Sequence, residues 1–137
     1  MGRKLARESA MKLLYQMDIN NDFTSESIDI FLANHKLTDD EKEYLIHTIN
    51  QVNDKLDIVD KKIEKYALGW KINRIPKVDL SILRIAIYEI LFREDIPVEV
   101  SINEAIDISK KYSTSESSKF INGLLGSIVR DGNDLNG

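Results

Sequence analysis

Few residues of this chain have the type and spacing that chemistry requires. His35 and His47 each stand alone on acidic stretches, with no nucleophile or second ligand at metal-binding spacing, so both read as surface residues. Asp39, Asp40 and Glu41 follow Thr38 as a capping box places them, which accounts for their charge without catalysis. Glu104 and Asp107 lie three apart on one helix face and could hold a cation, although Glu104 also completes a capping box with Ser101. The chain has no cysteine, which excludes disulfides and thiolate metal sites and fits a reducing cytoplasm. It also lacks a glycine-rich phosphate loop and a dinucleotide fingerprint. The expectation is a cytoplasmic protein that is not an enzyme and uses no cofactor and no metal.

Binding features are stronger. The formal net charge is -4, which taken alone argues against an anionic partner, but the cations are gathered. Arg3, Lys4, Arg7 and Lys12 face only Glu8 in the first stretch, and Lys61, Lys62, Lys65, Lys71, Arg74 and Lys77 face only Glu64 in a later one. A local positive field of this kind is what phosphate feels. Cations in the first turn of a helix oppose its dipole, and Arg3 with Arg7 at i,i+4 repel. That mismatch suggests pairing with an external anion; the alternative is an ordinary solvated basic face. Tyr66 and Trp70, interleaved with Lys65, Lys71 and Arg74, put flat rings beside positive charge as readers of unpaired RNA do. The competing reading is that both rings complete a core seam, and the spacing of Trp70 favours it. Lys119-Phe120 offers a second ring with a neighbouring cation.

The elements that must position these residues are all helical. The stretch from Val78 to Phe92 is apolar nearly all round, broken by Asp79, Arg84 and Glu89, and is too short to span a bilayer, so it reads as a central helix enclosed by others. Arg84 inside it needs an acidic partner. Before it, Arg3 to Met17 reads as a helix burying Ala6, Ala10, Leu13, Leu14 and Met17, and Ser25 to Asn34 as a short amphipathic one. Thr38 opens a long helix whose seam runs through Leu45, Ile49, Val52, Leu56, Val59, Ile63, Tyr66 and Trp70, with a bend near Asp57. After the central helix, capping boxes at Ser101 to Glu104 and Ser113 to Glu116 open two more helices. Gly123 and Gly126 weaken the last one unless a close helix contact compensates, and a frayed tail is expected from Asp131.

Four clusters in this order resemble one family. They are Ala6-Arg7-Glu8-Ser9-Ala10 with Leu14-Tyr15; Asp79 with Leu83-Arg84-Ile85-Ala86 and Tyr88-Glu89-Ile90; Pro97, Val100 and Ile102-Asn103-Glu104-Ala105; and Lys119-Phe120-Ile121-Asn122-Gly123-Leu124-Leu125. Over nearly its full length the chain is similar to the NusB transcription antitermination factors. The resemblance implies an all-α fold of about seven helices in two packed three-helix bundles, divided here at about 1–75 and 76–137 within one domain. It further implies binding of single-stranded boxA-type RNA from ribosomal RNA transcripts, together with the ribosomal protein NusE as heterodimer, in an RNA polymerase antitermination complex, with no membrane partner. Carried over by position, the RNA-binding set is Arg3, Lys4, Arg7, Tyr66, Lys119, Phe120 and Asn122, and the face toward NusE is Tyr15, Asp79, Tyr112 and Glu116. The arginine-rich motif is thin, with Lys4 and Leu5 where denser arginine is common, which leaves more of the RNA affinity to the partner. Two other readings stay open: a protein-interaction bundle without its own RNA site, and a fragment of an RNA-modifying enzyme.

Overall fold

The computed structural model describes residues 3–136, with side chains described as far as Gly132. Among these residues there are seven α-helices and no strand. The helices are α1 (Arg3–Asn20), α2 (Ser25–Ala33), α3 (Asp39–Asp54), α4 (Leu56–Tyr66), α5 (Lys77–Phe92), α6 (Val98–Tyr112) and α7 (Ser115–Asn136), with a single 3-10 turn at Ile72–Arg74 between α4 and α5.

The centre of the fold is α5. From Asp79 to Glu89 every residue is buried, as an all-round apolar helix requires, and α1, α3, α4, α6 and α7 all pack on it. Pro76 stands at its N-cap, where a missing N–H costs nothing. The polar residues in α5 each meet a neighbour. Arg84, the cation that needed an acid, forks onto Asp60 of α4 at 3.0 and 2.9 Å, with Asp18 of α1 at 3.9 Å. Asp18 also takes Lys77 at 3.0 Å, so the end of α1 meets the start of α5 while Arg7 near the start of α1 meets Glu89 near the end of α5. The two helices therefore run antiparallel.

Local signals place most boundaries. Thr38 caps α3 in a complete capping box with Glu41. The long seam helix divides in two, because the chain breaks at Lys55, close to the expected bend near Asp57. The seam residues Leu45, Ile49, Val52, Val59 and Ile63 are fully buried, but the seam stops before Trp70. Leu68 and Gly69 take positive φ values of 33° and 88°, and the Trp70 N–H donates to the Ala67 carbonyl at 3.0 Å. This tight reverse turn ends the helix and throws Trp70 out of register, leaving it 54% exposed rather than in the core.

Four further expectations are corrected. α6 begins at Val98 behind Pro97, so Ser101 is an interior helix residue and not a cap. The cap of α7 is Thr114, whose hydroxyl accepts from the Ser117 N–H at 3.0 Å, while Ser113 closes α6. α7 continues through Asp131 to Asn136, and a Cβ at Gly123 would meet nothing, so no close helix contact explains that glycine.

Leu83, wholly buried at the middle of α5, is the test of this packing. Leu83→Ala is expected to lower unfolding free energy by about 2–5 kcal/mol in urea titration, with the helical circular dichroism of the folded state retained.

Candidate nucleic-acid interface

The N-terminal cations do not all face solvent. Arg7 is 4% exposed, and its guanidinium grips Glu89, with Nε at 2.9 Å from one carboxylate oxygen and Nη2 at 3.0 Å from the other. Glu89 is itself only 1% exposed and also accepts from the Tyr44 hydroxyl and from Ser101 Oγ at 2.7 Å. One carboxylate on α5 thus gathers α1, α3 and α6. Arg7, expected as a phosphate ligand, thus lies inside the protein with its donors committed to Glu89. Lys4 stays exposed, but its ammonium lies between Glu104 at 3.1 Å and Asp107 at 3.2 Å. The cation that the Glu104 and Asp107 pair holds is therefore a lysine of the same chain. Arg3 remains at the surface, its guanidinium 4.8 Å from the centre of the Tyr44 ring, on an open cleft that also includes His47 and Arg93.

The partner-facing set divides in the same way. Asp79 is 2% exposed, and both its oxygens are taken, by Ser113 Oγ at 2.8 Å and Ser117 Oγ at 2.6 Å. Expected on the partner face, it instead lies buried and joins the start of α5 to the α6–α7 corner. Tyr15 is half-buried and Glu116 exposed. Tyr112 is half-buried at the surface, with Lys12 and Lys111 both over its ring at 5.2 and 5.4 Å. Its hydroxyl and Lys111 both reach the buried Glu8 carboxylate. With Lys4 on Glu104 and Glu8 on Lys111, α1 and α6 lie side by side and parallel, bridged by long side chains.

At the other end of the molecule, Lys119 and Asn122 are exposed and Phe120 is half-buried. The ring brought against Phe120 is Trp70, with centroids 6.3 Å apart at 57°. Tyr66 sits elsewhere: its hydroxyl donates to Asp131, eleven residues further along α7 or about 16 Å of helix. That bond pushes the Tyr66 phenol up from its ordinary value. Arg3 and Lys4 lie by the Glu89 end of α5, and Lys119 lies two residues beyond Ser117 at the Asp79 end. About 15 Å of α5 separates those two anchors, so any strand using both cationic ends must run the length of that helix.

Residues 4–130 match the family model described as the NusB family. The chain belongs to the NusB family. It is 49% identical over 130 residues to the "Transcription antitermination protein NusB" of Ruminiclostridium cellulolyticum, covering 95% of this chain and 90% of that one. The protein of the same name from Acetivibrio thermocellus is 46% identical, covering 98% and 97%. Among solved structures, T. maritima NusB superposes with a TM-score of 0.86 at 35% identity, covering 95% of this chain and 92% of that chain. A chain of the structure described as antitermination factors NusB and NusE in complex with dsRNA gives 0.84 at 27% identity, covering 94% and 96%. The NusB resemblance of the four sequence clusters and the all-α architecture are thereby shown. What sequence reasoning missed is the buried hub of Glu89, Tyr44 and Ser101. A glutamate inside an otherwise apolar helix was its signal, as Arg84 was for Asp60.

Breaking the hub while leaving Arg7 buried is expected to be costly. Glu89→Leu should lower unfolding free energy by about 3–5 kcal/mol, and replacing Arg7 and Glu89 together by Met and Leu should cost less than Arg7→Met and Glu89→Leu summed, as urea titration of these three variants and wild type reads out. Alkaline pH is the second probe. Burial and the adjacent Glu89 carboxylate push the Tyr44 phenol up, and hydrogen bonds to Glu104 and to Glu8 raise Lys4 and Lys111. Each folded value lies above the unfolded one, so the stabilisation is complete below about pH 10 and is lost as pH rises beyond it. The thermal midpoint is expected to fall through that window, less steeply in Tyr44→Phe.

Proposed function

We propose that this chain is a non-enzymatic transcription antitermination factor that binds single-stranded boxA-type RNA of ribosomal RNA transcripts jointly with a NusE-type ribosomal protein, in the cytoplasm, and so supports antitermination by RNA polymerase. The observation that carries the proposal is the match at 46% identity or more to proteins named for transcription antitermination, backed by the match over 94% of this chain to a chain of the structure of NusB and NusE with dsRNA, which supports an RNA and NusE-type partner but not the strandedness of the RNA. Among the described residues no helix is long and apolar enough to cross a membrane.

The residues divide the work by exposure. Arg3 and Lys119 are the exposed cations at the two ends and would neutralise phosphates; Lys4 contributes less, because Glu104 and Asp107 already balance it. Phe120 and Tyr66 supply rings, and Asn122 can donate and accept at base edges. Arg7 acts indirectly, by holding α1 on Glu89. Tyr15, Tyr112 and Glu116 form the face offered to the partner, with Asp79 pinning the corner behind them. In this division the N-terminal bundle, about 1–75, and the C-terminal bundle, about 76–137, each present one end of the RNA path.

Consumption of Lys4 and Arg7 by internal acids supports the second reading, a protein-interaction bundle with no RNA site of its own. One experiment separates the two. RNA affinity of the wild-type chain, Arg3→Ala and Lys119→Ala is measured at several salt concentrations, with and without the NusE-type partner. Each variant is expected to reduce the slope of log affinity against log salt by about 0.7, and the partner to raise affinity in all three. Partner binding without any RNA affinity, alone or in the heterodimer, would defeat the RNA reading and select the interaction bundle.

A further inference from the structure

The ring brought against Phe120 was expected in the core and is instead on the surface, and its setting calls for a ligand. Trp70 is 54% exposed and Leu68 is 89% exposed, both held by the reverse turn after α4. Leu68 adopts a φ of 33°, in the left-handed region that branched and bulky side chains disfavour. Core packing cannot be the reason for this turn, because it carries the two apolar residues outward. Trp70 leans on Phe120 at 6.3 Å and 57°, so the two rings form one tilted surface shared between the α4–α5 connection and α7.

Charge selects the occupant. Lys71 and Lys119 adjoin the two rings in sequence, Arg74 follows within one turn, and all three are exposed. Among the described residues none of the three is in an ion pair, unlike Lys4, Arg7, Lys77 and Arg84. No acid lies between Lys65 and Lys77, and Glu116 is the one acid in the first turn of α7. An apolar protein surface would not need three unpaired cations around two rings, whereas a single nucleic-acid strand supplies an anionic backbone and a flat face for each ring.

We infer that Trp70 is a base-stacking residue, and that Trp70 with Phe120 forms a two-ring platform on which unpaired bases of an RNA strand lie while Lys71, Arg74 and Lys119 neutralise the adjoining phosphates. The inference rests on the RNA reading above and adds to it the stacking residue and the cations of the α4–α5 connection. Trp70 carries no charge, so its contribution is separable from the phosphate contacts by salt dependence. Its exposure also makes it replaceable without opening the core.

Trp70 is the single tryptophan of the chain, so its emission reports on the platform directly. An unstructured boxA-like RNA oligonucleotide is titrated into wild type, Trp70→Phe and Trp70→Leu, with binding followed by anisotropy of the labelled RNA and, in wild type, by tryptophan emission corrected for RNA absorption. The same strand annealed to its complement is the control. The expected results are quenching of Trp70 by the single strand and not by the duplex, a loss of roughly five- to a hundred-fold in affinity for Trp70→Leu at unchanged salt slope, and near wild-type binding for Trp70→Phe. Thermal melts of the variants should match wild type. RNA binding with unchanged emission and undiminished affinity in Trp70→Leu would overturn the platform and leave the RNA reading intact. No RNA binding by wild type, with or without the NusE-type partner, would remove both. Loss of partner binding in Trp70→Leu with RNA affinity retained would assign the rings to a protein interface and overturn the inference.

Discussion

The buried pair of Arg7 and Glu89 is the constraint on which the arrangement of this molecule depends. A carboxylate on the central helix that is 1% exposed must be paired, since isolated burial of an ion costs several kcal/mol. Arg7 supplies two charge-assisted bonds in fork geometry, and Tyr44 and Ser101 fill most of the remaining acceptor capacity. Three helices are thereby fixed on a fourth at one point. An apolar contact tolerates sliding, but a satisfied polar cluster does not, because each small shift leaves a donor or acceptor unmade. Asp79 with Ser113 and Ser117 repeats the device at the other end of α5, and Arg84 with Asp60 in between.

These clusters also set the electrostatics that a ligand meets. The N-terminal helix begins with cations where its dipole would favour acids, and the conflict is answered largely from within, by Glu89, Glu104 and Asp107. The positive charge left at the surface is therefore sparse at the α1 end and denser around the α4–α5 connection, where Lys71 and Arg74 stand in a stretch without an acid. With so few unpaired cations, an anionic strand would draw on the rings as well as on phosphate contacts.

Much of this could be read from the residues. The central helix, the capping box at Thr38, the buried stripe of α1 and the need of Arg84 for an acid all follow from local pattern, because each depends on neighbours within a turn or two. The boundaries that failed did so where two local signals competed. Ser101 fits a cap by spacing, but Pro97 upstream was the stronger start, and Ser101 was then free to serve Glu89. Trp70 fits the seam by period, but the Leu68-Gly69 turn cut the helix before it.

What the sequence determined by itself was the class of fold, the family and the regions where cations and rings concentrate. Which of those cations remain available to a ligand was decided only in three dimensions. Arg3, Lys4 and Arg7 are alike as residues, yet one lies over a ring at the surface, one is balanced by two acids and one is sealed inside. The difference comes from partners some eighty to a hundred positions away, Glu89 and Glu104, whose approach is fixed by how helices pack and not by any period along the chain.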